Sequence, residues 1–367
     1  MIIPLTIAVS STALIMPEDN QPYDSFLLVS FGGPEGPDDV IPFLENVLRG
    51  KRVPRERMLE VAEHYKQFGG ISPINQHNRE LLAAIGDEFK AANIDLPVYW
   101  GNRNWHPLLT ETLGEMRDAG HKRTLAFFTS MFSCYSGCRQ YRENLIAARE
   151  AVGTGAPQVD KLRMGFNHPG FVETLAENVQ SAVDQLRDKD SELSRDDVTI
   201  FFTAHSIPTA MSDNCDYVMQ LNESSRLVAD AVGIRDWQLV YQSRSGPPQQ
   251  PWLEPDVCDS IVSRDEEKKI KALVIMPIGF VSDHMEVMFD LDEEAAAICK
   301  ARNIPMARAA TAGTGPKFVR MVRELVEERI GRIDQRRAVG NLGPWHDICP
   351  ADCCTYTPSR PQRPAQT

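Results

Sequence analysis

Short apolar runs alternate with amphipathic stretches along most of the chain. The runs Phe26–Phe31, Val98–Gly101, Thr124–Thr129, Leu162–Phe166, Val198–Thr203, Leu239–Gln242 and Ala272–Met276 read as strands, with Ile304–Ala307 a shorter candidate. Several are rich in Val, Ile and Phe without strict alternation, as in parallel strands covered on both faces. Helical spacing falls between them, over about 37–48, 54–67, 74–92, 107–119, 139–153, 170–188, 214–232, 283–301 and 316–332. This β–α alternation predicts an α/β fold of two Rossmann-like domains, each a parallel sheet flanked by helices. The first is expected over 24–157, completed by the helix 316–332, and the second over 158–315. Residues 333–367 have no periodicity and read as an irregular, Cys-rich tail, ordered only if something staples it down.

The length, 367 residues, suits two such cores, and 42% hydrophobic with 25% charged residues is ordinary for a globular chain. The net charge of −12 argues against a nucleic-acid binder, so an anionic ligand must meet a local basic patch. Residues 1–16 are apolar but carry no Lys or Arg, unlike a secretory leader, and fall short of the ~20 residues of a membrane span. They read, with the rest of 1–23, as an over-extended start or a disordered tail.

In open parallel sheets ligands sit beyond the carboxyl ends of the strands, so those loops are where chemistry is sought. Neither GxGxxG nor GxxxxGK[ST] follows any strand, which weakens nucleotide binding. His205 directly follows VTIFFTA, where a histidine can take protons near neutral pH or bind metal; a helix-capping role is the plainer reading. Asp283, His284 and Glu286 open a helix on which Glu286, Asp290 and Glu294 recur at i, i+4 and i+8. On an α-helix that spacing sets three carboxylates on one face, either a solvated acidic surface or a ladder for protons or a hard cation. Arg49, Lys51, Arg52, Arg55 and Arg57 crowd one short stretch, a surface turn or a clamp for carboxylates. Nearby FGGISP offers backbone N–H groups and the Ser72 hydroxyl. Of eight cysteines, three (Cys349, Cys353 and Cys354) lie within six residues of the tail. Three thiolates lack one ligand of a four-thiolate zinc or iron–sulfur site; Cys138 and Cys134 are the candidates for the fourth.

LLVSFGGPEGPDDV, GGISPIN, TAHSIP, QSRSGPPQQPWLEPDV and PIGFVSDHMEVMFDLDEE, in this order, resemble the motifs of the ferrochelatases, which insert Fe²⁺ into a porphyrin. The resemblance runs from about Phe26 to Gly331, and YSGCRQYRENL with the Cys-rich tail is most similar to the actinobacterial members. Those resemble the branch that metallates coproporphyrin III, and many carry a [2Fe–2S] cluster. The resemblance implies that His205 is the active-site histidine and that Glu286 faces it, both where iron meets the macrocycle. It implies an inner relay of Asp283, His284, Asp290 and Glu294, and porphyrin contacts from Arg49, His64, Tyr65, Ser72, Tyr141 and Trp252. Cys138 would be the internal cluster ligand, with Cys349, Cys353 and Cys354 from the tail. The cluster would staple the tail or sense iron or redox state. One departure stands out: Glu35 occupies the place where many bacterial members carry a tyrosine able to ligate product iron. The long apolar lip of membrane-associated relatives has no counterpart. The expectation is therefore a cytoplasmic, monomeric enzyme without a transmembrane segment, with porphyrin and ferrous iron as substrates and at most transient contact with neighbouring haem-pathway enzymes. The alternatives are a protoporphyrin enzyme, a chelatase for another tetrapyrrole and a non-catalytic porphyrin or haem carrier.

Overall fold

The computed structural model describes residues 22–50 and 53–357. The apolar leader, Lys51 and Arg52 lie outside the described residues. The first sheet holds β1 (Ser25–Ser30), β2 (Val98–Asn102), β3 (Arg123–Phe128) and β4 (Gln158–Lys161), in the order β2-β1-β3-β4. The second holds β5 (Val198–His205), β6 (Trp237–Gln242), β7 (Ala272–Met276) and β8 (Met306–Arg308), in the order β6-β5-β7-β8. Every pairing is parallel. Helices α1 (Val40–Val47), α2 (Arg55–Gln67), α3 (Ile74–Ala91), α4 (Leu109–Asp118), α5 (Gln140–Val152) and α6 (Pro169–Arg187) connect the first half. The second half adds α7 (Thr209–Ser212), α8 (Tyr217–Val232), α9 (Val257–Glu267), α10 (Met285–Val287), α11 (Ala296–Ala301) and α12 (Pro316–Arg329).

The central strands β1, β3 and β7 are buried throughout, which is why their sequences lack alternation. One apolar core serves both sheets. Phe318 of α12 is fully buried between Phe127 and Phe171, and Phe132 packs on Phe171 in turn. Two parallel sheets thus share a core that neither closes alone. In the second sheet the chain leaves β5 for β6 on one side, while β7 lies on the other. The ends of β5 and β7 therefore flank a topological switch point, the place in such sheets where a crevice opens.

Several elements depart from the sequence reading. The fourth strand is not Leu162–Phe166 but the preceding Gln158–Lys161, and it pairs with β3. Its polar sequence is that of a half-exposed edge, while the apolar run after it is buried without pairing as a strand. Those residues, 158–161, therefore sit in the first sheet and not the second. The last strand begins at Met306 rather than Ile304, and α8 begins at Tyr217 rather than 214. Helix α9 was not anticipated; Asp256 caps it by accepting from the N–H groups of Cys258 and Asp259. Among the described residues no helix is long and apolar enough to cross a membrane.

The tail is irregular and pinned by polar contacts. Arg337 forms an ion pair with Glu324, with an Nη1–Oε2 distance of 2.8 Å, and Asn167 Nδ2 donates to the Gly343 carbonyl at 2.7 Å. Trp345 packs edge-on against Phe166. Arg139 donates to the carbonyls of Ala351 and Cys353, both at 2.8 Å.

Candidate active site and cysteine centre

His205 is the last residue of β5, paired in register with Gln242 at the end of β6. The loop after β7 closes over this point: Gly279 donates its N–H to the Thr203 carbonyl at 3.0 Å. A Cβ on Gly279 would come within 2.8 Å of Ala204 Cα, so only glycine permits this approach. The loop then brings Glu286 beside His205.

His205 Nδ1 lies against the Ser206 carbonyl, to which it donates. In the neutral imidazole this leaves Nε2 as the acceptor. Nε2 is 3.5 Å from Glu286 Oε2, and the Tyr217 hydroxyl holds the His205 carbonyl at 3.1 Å. The Glu286 side chain remains half exposed, facing open space rather than the core.

Behind them the helix does not keep α geometry. Between α10 and α11, Met288–Ala295 forms a π-type helix with i→i+5 bonds, a form found disproportionately at functional sites. Its wider turn keeps residues four apart close to one line, so Glu286, Asp290 and Glu294 remain a row. Asp290 accepts from Gln242 Nε2 at 3.1 Å and from the Ser243 hydroxyl. Ser243 adopts the left-handed φ of 60° to deliver that hydroxyl, a conformation uncommon outside glycine. Burial, reinforced by Glu286 and Glu294, raises Asp290 to about 7 despite those hydrogen bonds. Glu294 is exposed, so the row runs from a buried carboxyl to solvent.

The remaining predicted residues divide. His284 is held below its ordinary value by burial, in the electrostatic reach of Glu286 and His205. Tyr65 is buried and pushed well up by burial and by Glu286, so it stays a phenol beside that carboxylate. His64 stacks on Phe289 at 4.0 Å, joining α2 to the acidic helix, and Met285 enters the apolar cluster of α1 and α2. Asp283 instead pairs with Arg308 through both oxygens, at 2.8 and 3.1 Å. Tyr141 is buried under Arg103, whose guanidinium carbon lies 4.4 Å from the ring centroid. Ser72 is buried, with its N–H donated to the Pro34 carbonyl. Trp252 bridges to Pro208 and covers Gly246, where a Cβ would lie 2.1 Å from Nε1. Within the basic stretch, Arg55 faces Glu45 and Arg57 faces Glu60, whereas Arg49 meets only the neutral Asn46 amide among the described contacts. Glu35 is paired with Arg79 at 2.6 Å. Sequence reasoning missed Gln242, Ser243, Tyr217 and Arg308, which position the others from distant parts of the chain.

The tail cysteines return to Cys138. All four are free thiols, and Cys138 with Cys349, Cys349 with Cys353, and Cys353 with Cys354 are neighbours that shift one another's titration. Hydrogen bonds from Cys138 and Cys353, with Lys161 and Arg142 nearby, hold Cys349 well below the ordinary thiol value. Cys134, the competing fourth ligand, accepts from the Gly137 N–H at 3.1 Å and caps its own turn. The four cysteines are not a preformed cage: among the described residues no group is set at metal-binding geometry. The donor set nonetheless fits a soft, four-thiolate centre such as [2Fe–2S], and its surroundings are cationic.

Comparison with known proteins identifies the family of the chain. The Ferrochelatase family profile matches residues 23–330. A relative named "Ferrochelatase" from Rhodopirellula baltica is 66% identical, covering 93% of this chain and 95% of its own length. One named "Coproporphyrin III ferrochelatase" from Streptomyces coelicolor is 51% identical, covering 95% and 96%. Among solved structures, SirB from Bacillus subtilis with Fe³⁺ superposes with a TM-score of 0.51 at 11% identity, over 84% of this chain and 98% of that one. A multi-domain Deinococcus radiodurans protein with structural similarity to chelatases gives 0.51 at 13% identity, over 88% and 58%. At such identities these structures support the fold alone.

Proposed function

The chain belongs to the ferrochelatase family and is an enzyme that inserts iron into a porphyrin; we propose that its porphyrin is coproporphyrin III and that His205 and Glu286 act on the reacting centre. The observation that carries the residue assignment is the facing pair itself: an imidazole nitrogen with a free lone pair, 3.5 Å from a half-exposed carboxylate, at the switch point of a parallel sheet.

The reaction joins Fe²⁺ to a porphyrin and releases two protons. A base must face the pyrrole nitrogens, and His205 Nε2 is available because Nδ1–H is committed to Ser206. Glu286 carries the opposite charge for the metal ion or for the imidazolium that forms. Asp290, poised at about 7, can both accept and release a proton at neutral pH, and Glu294 lies beyond it toward water. Asp283 is spoken for by Arg308 and serves the loop rather than the relay.

The case for coproporphyrin rests on the name shared by relatives at about half identity and on Arg49, a guanidinium left without a carboxylate partner among the described residues. Four propionates would give such a residue its partner. We further propose that Cys138, Cys349, Cys353 and Cys354 hold a [2Fe–2S] cluster, which supplies a one-electron redox centre when bound; the gathering of four thiols among cations supports this.

His205→Ala tests the assignment. Turnover should fall ~10²–10⁴-fold while porphyrin still binds, as measured by fluorescence quenching. Undiminished turnover would remove His205 from the chemistry. Unimpaired haem delivery without any turnover in the parent protein would favour the carrier.

A further inference from the structure

We propose that the tail is a strap across the crevice, and that Tyr356 is a positioning residue that holds the loop after β6 in place for porphyrin binding. The inference rests on the porphyrin site proposed above and extends it to a residue outside the reacting pair.

The loop after β6 is tied to the site at both ends. At its start the Ser243 hydroxyl donates to Asp290. At its end Leu253 donates its N–H to the Ile207 carbonyl at 3.0 Å, and the Ser206 hydroxyl donates to the Leu253 carbonyl at 2.8 Å. The Thr209 N–H reaches the Pro251 carbonyl at 3.0 Å, so residues 251–253 lie along the segment that follows His205. The span between, 244–250, is mostly exposed. Arg244 donates to the Gln250 carbonyl at 3.0 Å, a bond that stays inside the loop. Trp252 covers Gly246, but its Nε1 is buried without a hydrogen-bond partner among the described residues, so no polar contact pins the indole. Among the described residues, the hydrogen bond that ties 244–250 to another part of the chain runs to the tail: Gln250 Nε2 donates to the Tyr356 hydroxyl at 3.1 Å.

The other end of that bond is anchored beside the first sheet. The turn Tyr135–Arg139 follows β3 and leads into α5. Arg139 holds the carbonyls of Ala351 and Cys353, and the Tyr135 ring packs on that of Tyr356 with centroids 5.8 Å apart. Tyr135 is fixed in turn by its hydroxyl, which donates to Glu143 at 3.1 Å. Cys354 takes a left-handed φ of 53°, bending the chain between the Arg139 contacts and Tyr356. The strap therefore joins the carboxyl-end loops of the two sheets, where folds of this kind take their ligands. A loop already held in its bound arrangement loses less freedom when a ligand docks, so the strap favours binding more than the chemical step.

The test is hydrogen exchange of the full-length protein, read by mass spectrometry over 243–253 with and without coproporphyrin III, beside steady-state kinetics. Wild type, Tyr356→Phe, Gln250→Ala and the double variant are compared. Tyr356→Phe keeps the ring against Tyr135 and removes the oxygen that accepts from Gln250. One neutral hydrogen bond corresponds to ~2–10-fold in a local opening equilibrium, so exchange over 243–253 should quicken and KM for porphyrin rise by about that factor, with kcat within about twofold. The double variant should match either single one, because both delete the same bond. Additive effects, unchanged exchange, or faster exchange with an unchanged KM each overturn this inference and leave the proposed site standing. Wild-type exchange over 243–253 that porphyrin does not slow overturns the proposed porphyrin site, and this inference with it.

Discussion

The role proposed for His205 rests on a bond with its own neighbour. The Ser206 carbonyl fixes the proton on Nδ1, which leaves Nε2 unprotonated 3.5 Å from Glu286 Oε2 and free to take a proton. Asp290 is the complementary case, a carboxyl kept protonated to about 7 by burial. Its folded value lies above its unfolded one, so the fold binds the extra proton between ~4 and 7. Stability from Asp290 is therefore full at low pH and is lost as pH rises through 7. Asp290→Asn should match wild type near pH 4 and exceed it above pH 7 by on the order of 2–4 kcal/mol, while kcat falls; denaturant melts at the two pH values check this. Ser243→Ala removes a bond that favours the ionised form, so the acidic limb of kcat against pH should move upward. An unmoved limb would take Asp290 out of the proton path. At this scale the sequence disclosed His205, Glu286 and Asp290, because strand ends and spacing are local. It hid Ser243 and Gln242, whose contacts reach 47 and 48 residues along the chain, and Tyr217, whose contact reaches 12.

Elements show where pattern reading succeeds and where it fails. Apolar runs report burial, and β1, β3, β5 and β7 were legible because they are central. The edge strand β4 was not, since its residues are half-exposed and polar, and the buried run after it misled. Periodicity found the acidic helix but could not distinguish i→i+4 from i→i+5 bonding, which differ by one residue in the span of each hydrogen bond over Met288–Ala295. The loop after β6 depends on contacts of another kind. Trp252 lies over Gly246, and Gln250 Nε2 donates to the Tyr356 hydroxyl of the tail at 3.1 Å. Gly246→Ala should displace the indole and raise KM for porphyrin several-fold with a smaller change in kcat. Steady-state kinetics read the split, and an unchanged KM would detach Trp252 from the pocket wall.

For the molecule as a whole, the tail is as much a part of the fold as the sheets. Arg163 and Glu328 form a bidentate pair at 2.6 and 2.8 Å with almost no exposure, and Arg163 also holds the Arg337 carbonyl. Breaking one side of such a pair leaves a buried charge. Arg163→Met should therefore cost about 3–5 kcal/mol, seen as a lower melting temperature, and adding Glu328→Met should recover much of it. Composition foretold none of this, because pairwise polar staples leave no period. The need for a staple was legible all the same, in the aperiodic stretch 333–367 with its clustered cysteines. The −12 charge likewise says nothing of the proposed local clamp, in which Arg49 has no carboxylate partner among the described residues. The central claim is the substrate, and anaerobic Fe²⁺ insertion into coproporphyrin III and protoporphyrin IX, side by side on the same preparation, addresses it directly. The account predicts higher kcat/KM for coproporphyrin, reduced selectively by Arg49→Ala; faster insertion into protoporphyrin would contradict it.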